Sequence, residues 1–314
     1  MDSRIRLGAV LGVLILGLAA IGGCGTASTA TVPERPIFAT DANGTPISIP
    51  AAAPQRIISL GATDSEILGA LKVDSRVVGV DAFTDYPADL AAKLKVTDAN
   101  GQPNIEQIIA LKPDLVLSFG GEVKQADLQL EQVHVAVVDL PAVGFTQSIT
   151  EISLVGQLVH AEATAQALVR GLDQRIATVE AKVKGQPPVK VYMEVDDSSP
   201  GKLYIFGQGT FGDGVIQAAG GTNVFGTVTA GAGYGPVSSE NVIVANPQVV
   251  ILTEDPRYGG DPSQVPLRTG WSAIDAVKHG RIYQLNTDLF QRPGPRVIDG
   301  LEQLAKLLYP GQFV

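Results

Sequence analysis

Cysteine occurs once in 314 residues, histidine three times and tryptophan once. A single cysteine excludes a disulfide framework and a cysteine-based zinc cluster. Three scattered histidines, His134, His160 and His279, make no metal cage, so no metal site is expected. Basic residues are also in deficit, 23 Lys and Arg against 32 Asp and Glu, for a formal charge of −9. With no basic run to override that balance, nucleic acid is not an expected partner. Aromatics are only 5% of the chain, which makes the position of each one informative. Apolar residues at 45% and charged residues at 18% are ordinary for a globular protein and argue against wholesale disorder.

The one cysteine stands in a telling place. Arg4 and Arg6 precede an apolar run from Leu7 to Ile21, followed by Gly22, Gly23 and Cys24. A basic start, a short apolar core and small residues at a cut describe an export signal over residues 1–23. The run is shorter than the roughly 20 residues a membrane-spanning helix needs. Ile21-Gly22-Gly23-Cys24 also resembles the bacterial lipobox, which implies lipidation of Cys24 and a place on the outer face of the cytoplasmic membrane. Residues 24–35 are small and polar without periodicity and read as a flexible tether.

Beyond residue 36 the pattern is α/β. Short apolar runs at 56–60, 77–80, 114–118 and 135–139 alternate with helical stretches at 63–72, 105–112 and 124–132. Such alternation through Gly/Pro loops predicts a parallel sheet covered by helices in a lobe over 36–145. From 146 to 185 there is no proline, and apolar residues keep helical spacing. The spacing predicts a backbone helix of about 57 Å at 1.5 Å per residue. A second α/β lobe is expected over 186–314, with strands at 190–195, 203–206, 249–253 and 281–285.

The two lobes carry a repeat. Asn104-Ile105-Glu106 leads through an apolar pair to Pro113-Asp114-Leu115-Val116. Ser238-Ser239-Glu240 leads in the same register to Pro247-Gln248-Val249-Val250. A carboxylate in the first turn of a helix is favoured by the helix dipole, so local stability alone explains either glutamate. Its recurrence points further, to two matching negative groups, one per lobe, able to grip a partner with paired cationic patches.

Gly207-x-Gly209-x-x-Gly212 follows a strand and opens a helix, as in dinucleotide-binding loops. The acidic residue that holds a ribose about 20 positions on is missing, so a tight glycine turn is the reading preferred. No Ser/His/acid grouping suggests a nucleophile, and Asp196-Asp197, followed by Ser-Ser-Pro-Gly, reads as a solvated loop. No catalytic activity is expected. Phe83, Phe119, Tyr204 and Tyr234 fall near strand ends, and Asp288 and Arg292 follow the strand at 281–285. In open α/β sheets ligands bind beyond the carboxyl ends of strands, which makes these six candidates for a cleft.

Together these features resemble the substrate-binding lipoproteins of ABC importers for iron chelates, haem and vitamin B12. The carrying segments are Asp41-Ala42-Asn43-Gly44, Arg56-Ile57-Ile58-Ser59-Leu60, Ser65-Glu66-Ile67-Leu68, Asn104-Ile105-Glu106, Leu111-Lys112-Pro113-Asp114 and Ser238-Ser239-Glu240. The resemblance covers residues 36–314. It implies two Rossmann-like lobes with parallel sheets, joined by one long backbone helix, that do not use a cofactor. The implied partners are a small ligand between the lobes and a permease driven by a cytoplasmic ATPase. Within the family the cobalamin binders look nearest, through Gly79-Val80-Asp81-Ala82-Phe83-Thr84-Asp85-Tyr86-Pro87. That likeness implies Phe83, Tyr86, Phe119, Tyr204, Tyr234, Asp288 and Arg292 around a corrinoid, and Glu106 and Glu240 docked on permease arginines, the protein acting as a monomer. Haem or an iron–siderophore complex is the alternative ligand. A further cleft tryptophan of the cobalamin binders falls near Asp98 to Gly101, where this chain has no aromatic.

Overall fold

A computed structural model describes residues 40–141, 144–199, 201–229, 233–254 and 259–313. The export signal, Cys24 and the tether lie outside the described residues. Among the described residues no helix is long and apolar enough to cross a membrane.

The N-terminal lobe is a four-stranded sheet, β1 (Ile57–Ser59), β2 (Val77–Val80), β3 (Leu115–Phe119) and β4 (Val137–Leu140), in the order β2-β1-β3-β4. All its pairings are parallel. Around it lie α1 (Ala62–Ala70), α2 (Ala88–Ala91), α3 (Ile105–Ala110) and α4 (Lys124–Gln132). Side chains alternate between faces, as strand geometry requires. Ile57, Leu115 and Leu117 enter the core shared with α1, whereas Ile58 and Val116 join Ile108 of α3 and Leu130 of α4. Both faces are therefore buried, which accounts for the near-continuous apolar strands.

The stretch expected as one backbone helix divides into α5 (Phe145–Leu158) and α6 (Glu162–Val183). His160 takes a left-handed conformation, φ 53°, and the Ala161 amide returns to the Gly156 carbonyl. This is a helix-ending turn built without glycine or proline, so its residue types carry no stop signal. The break is held in place: Arg76 donates to the Val159 carbonyl at 2.8 Å, and the His160 ring meets the Pro50 carbonyl at 2.7 Å. His134, His160 and His279 are all exposed.

The C-terminal lobe contains β5 (Val189–Asp196), β6 (Leu203–Ile205), β7 (Gly221–Asn223), β8 (Pro236–Val237), β9 (Val249–Leu252) and β10 (Ile282–Gln284). The order is β10-β9-β5-β6-β8, with β7 also on β5. The expected all-parallel sheet is mixed here, because β6 runs antiparallel to both β5 and β8. The short strands β7 and β8 have too few residues for a period to show. Helices α7 (Phe211–Ala218), α8 (Ser239–Ala245), α9 (Asp275–Lys278), α10 (Asp288–Gln291) and α11 (Val297–Leu308) complete the lobe. Residues of α5, α6, α7 and α11 share one core with the inner faces of both sheets, so the lobes rest on a common support.

The repeat extends to the backbone. Ile57 pairs with Leu115 on β3, and Val191 pairs with Val249 on β9, each pair displaced by the same number of residues along the chain. Lys112 and Asn246, each before a proline, are both left-handed at φ 47° and 46°. Asp114 accepts from the Arg56 amide, and Gln248 accepts from the Lys190 amide.

The glycine triplet is explained by packing and backbone conformation. A β-carbon on Gly207 would lie 2.4 Å from the Val228 carbonyl oxygen, and one on Gly212 would lie 2.3 Å from the Phe206 ring. Close approach demands these two glycines and a positive φ of 78° favours glycine at 209, so no dinucleotide is needed to account for the three.

Candidate functional site

The carboxyl ends of β1, β2 and β3 open on a cavity of about 250 Å³. Its aromatic walls are Phe83 and Phe119, and its C-terminal-lobe side is Gln291. Phe83 sits in a loop pinned from below. Its amide donates to Asp81 Oδ2 at 3.0 Å, while Asp81 Oδ1 accepts the Thr84 hydroxyl. Thr84 continues a buried hydroxyl chain through Ser65 to Ser59 at 2.8 and 2.9 Å. The ring itself is 52% exposed. A large apolar ring held in water by a rigid, hydrogen-bonded loop is a contact surface in waiting.

The loop at 98–102 forms the neighbouring wall. Asp98 Oδ1 accepts the amides of Asn100 and Gln102 at 2.8 and 2.9 Å. Gly101, at φ +80°, lies against Phe83, where a β-carbon would stand 3.1 Å from the ring. Where the resemblance would have placed a tryptophan, this chain supplies the amide side chains of Asn100 and Gln102. Asp81 and Glu122 add carboxylates, and no Lys, Arg, His or Tyr is among the described residues lining the cavity.

The remaining sequence candidates disperse. Tyr86 belongs to a separate cavity of about 400 Å³ beside α1, α6 and α11, its ring 4.1 Å from the Arg296 guanidinium. Tyr204 is a half-buried residue of β6, paired with Pro236 and Asp196. Tyr234 packs edge-on against Phe206 at 5.5 Å, and burial raises its hydroxyl pKa. Neither Tyr204 nor Tyr234 lines the cavity with Phe83 and Phe119.

Arg292 joins the lobes, with Asp288 beside it in its own lobe. Arg292 donates to Asp85 Oδ1 at 2.6 Å and lies 3.0 Å from Asp288 and 3.6 Å from Glu66. Arg296, at the start of α11, donates to both Glu66 oxygens, through Nε at 3.0 Å and through Nη2. Burial pushes the Glu66 carboxyl up while Arg296 and Arg292 pull it down. Asp85 is also raised by burial, but the hydrogen bond and charge of Arg292 outweigh that and hold it low. Sequence alone does not mark Glu66 and Asp85 as partners, since nothing in their local pattern shows an arginine more than 200 residues away. The energetics are unequal because Asp85 is 60% exposed and Glu66 only 1%. Replacing Asp85 by alanine is expected to cost within about 1 kcal/mol. Replacing Arg296 by alanine should cost about 2–3 kcal/mol, since a buried carboxylate loses its bidentate partner and keeps only the longer contact to Arg292. Urea titration of the two variants checks this, and equal losses would sink the asymmetry.

Asp196-Asp197 is not the free solvated loop expected. Asp197 accepts from Arg268 at 2.6 Å, and Asp196 accepts from the Ser198 amide at 3.0 Å.

Glu106 and Glu240 occupy equivalent positions in the first turns of α3 and α8. Asn104 and Ser238 cap those helices by accepting from the Gln107 and Asn241 amides. Both glutamates are exposed. Hydrogen bonds from its own amide and from Ser238 hold the Glu240 carboxyl below its usual range. Two rigidly mounted charges, one per lobe, face water without an ion-pair partner nearby among the described residues.

Comparison with known proteins follows the same lines. A family model described as periplasmic binding protein matches residues 57–289. The "Uncharacterized ABC transporter substrate-binding lipoprotein YvrC" of Bacillus subtilis is 30% identical over 314 residues, covering 96% of each chain. The "Vitamin B12-binding protein" of Vibrio cholerae is 26% identical over 257 residues, 81% of this chain and 89% of that one. A crystal structure of a periplasmic heme binding protein from Pseudomonas aeruginosa superposes with a TM-score of 0.71 at 28% identity, covering 82% and 93% of the two chains.

Proposed function

The chain belongs to the periplasmic binding protein family, and from that premise we propose that it captures a corrinoid between its lobes and delivers it to an ABC permease. Homologues in this family are non-enzymatic solute carriers, and this chain is likewise not an enzyme. The corrinoid reading rests on one observation, the composition of the cavity at Phe83. Its described lining offers two aromatic faces, the amides of Asn100, Gln102 and Gln291, and no cationic side chain.

A corrinoid presents broad apolar faces edged with amides, which calls for flat aromatic contact and neutral hydrogen-bonding groups. An anionic ferric siderophore favours cations in the cleft, and here Arg292 and Arg296 are already spent on Glu66, Asp85 and Asp288. Haem favours an axial His or Tyr. Tyr86 is stacked under Arg296, and Tyr204 and Tyr234 stand off the cavity. A cavity of about 250 Å³ receives only one edge of a ligand this broad. Full engagement therefore requires the lobes to part at the Arg292–Asp85 contact. The lipobox at Cys24, together with the lipoprotein name of the Bacillus relative, supports anchoring on the outer face of the cytoplasmic membrane.

The test is titration calorimetry with cyanocobalamin, haemin and a ferric siderophore in parallel. One-to-one binding of cyanocobalamin at micromolar or tighter, weakened by Phe83→Ala, is the expected result. Saturation by haemin or the iron chelate with no heat from cyanocobalamin would keep the carrier role and replace the ligand.

A further inference from the structure

Beyond the cleft, the carboxyl ends of β5 and β9 bring three carboxylates together. One oxygen each of Glu194, Asp197 and Glu254 lies within 4.8 Å of the other two. Arg268 serves only part of this group. Its guanidinium donates to both Glu194 oxygens, at 2.6 and 2.8 Å, and to Asp197 Oδ2 at 2.6 Å. Asp197 Oδ1 has no share in that pairing. Glu254 is only 4% exposed, and both of its oxygens are buried without a hydrogen-bond partner. Burying a carboxylate against two others, with nothing donating to it, is costly unless a positive group or a proton intervenes. Gly259 closes the other side of this cradle. A β-carbon there would stand 2.2 Å from Glu254 Oε2 and 2.7 Å from Asp197 Oδ1.

We propose that Glu254, Asp197 and Glu194 form a binding site for a hard divalent cation of the calcium class, built into the wall beside the ligand cleft. Every donor in the set is a carboxylate oxygen, with no nitrogen or sulfur among them, and that selects calcium, magnesium or manganese over zinc or copper. Glu254 supplies the two free oxygens, Asp197 the free Oδ1, and Glu194 a remaining lone pair. Asp197 is partly exposed and gives the entry side, its side chain 28% accessible. Gln291 ties this wall to the cleft, donating to the Val195 and Thr253 carbonyls at 3.0 and 2.9 Å while its side chain borders the cavity. A cation here would stiffen the C-terminal-lobe side of the ligand site.

The molecule carries its own reporter. Its single tryptophan, Trp271, meets Tyr192 edge-on at 5.9 Å, and the Tyr192 hydroxyl donates to Glu194 at 2.7 Å. Terbium, a luminescent stand-in for calcium, added to the purified protein should give aromatic-sensitised emission that saturates at one ion per chain and is competed away by calcium. Glu254→Gln should weaken that binding by about tenfold or more. Asp197→Asn, at a partly exposed position, should do the same and keeps the test decisive if Glu254→Gln does not fold. Calcium should raise the melting temperature of the parent and, at the same concentration, raise that of both variants by less. Absence of saturable emission, or equal affinity in parent and folded variants, would overturn the site.

Discussion

Uptake is expected to disappear when Glu106 and Glu240 are both changed to lysine, with ligand affinity unaltered. The two carboxylates occupy equivalent turns of α3 and α8, one on each lobe, exposed, and neither lines the cavity at Phe83. Their local stabilising role is small, since a first-turn carboxylate is worth about 0.3–1 kcal/mol. The caps stay in place in the variant, because Asn104 and Ser238 are untouched. A fold that survives and a ligand site that still binds leave partner docking as the function lost. Like charges at a complementary interface cost several kcal/mol, so one reversal should weaken transport and two should abolish it. Ligand uptake in cells and calorimetry on the purified double variant read the two properties separately. Persistent uptake would remove the glutamates from the docking surface. Lost ligand binding would place them in the cleft.

Arg268→Ala is expected to lower stability by about 3–5 kcal/mol. The Glu194 side chain it serves is wholly buried, and among the described residues Arg268 makes two of the three hydrogen bonds that carboxylate receives. Without the guanidinium, Glu194 keeps, among the described residues, only the Tyr192 hydroxyl inside a core that also contains Trp271. The arginine's contact with the Trp271 ring, 4.7 Å from its centre, is lost as well. Urea unfolding in the presence of a chelator measures the parent, Arg268→Ala and the double variant Arg268→Ala/Glu194→Gln. The double variant should recover part of the loss, because it no longer buries an unpaired charge. A loss below about 1 kcal/mol for Arg268→Ala would show that Glu194 is hydrated in the fold and not sealed in it.

Local chemistry made much of this protein legible. The strands over 57–59, 115–119, 189–196 and 249–252 announce themselves as short apolar runs because both faces of each sheet are covered. Cap, glutamate and proline repeat in register because two lobes of one plan need the same helix start and the same entry to a strand. The mixed sheet was harder to see, since β7 and β8 span only three and two residues. The split between α5 and α6 was hidden for a different reason: His160 takes the left-handed turn that glycine usually signals.

The cleft divides along the same boundary. Phe83 follows β2 and Phe119 ends β3, and strand ends of one parallel sheet converge, so their meeting could be foreseen. Tyr86, three residues from Phe83, faces another cavity, because the loop turns between them and Arg296 covers the ring. The chain alone settles the α/β alternation, the duplicated plan and the paired glutamates, because each is written in neighbouring residues. The Arg292 and Arg296 ties to Glu66 and Asp85, the amide lining and the Glu194–Asp197–Glu254 cluster are settled only by folding. Their partners are distant in sequence, and the energy that pairs them depends on burial, which no local pattern records.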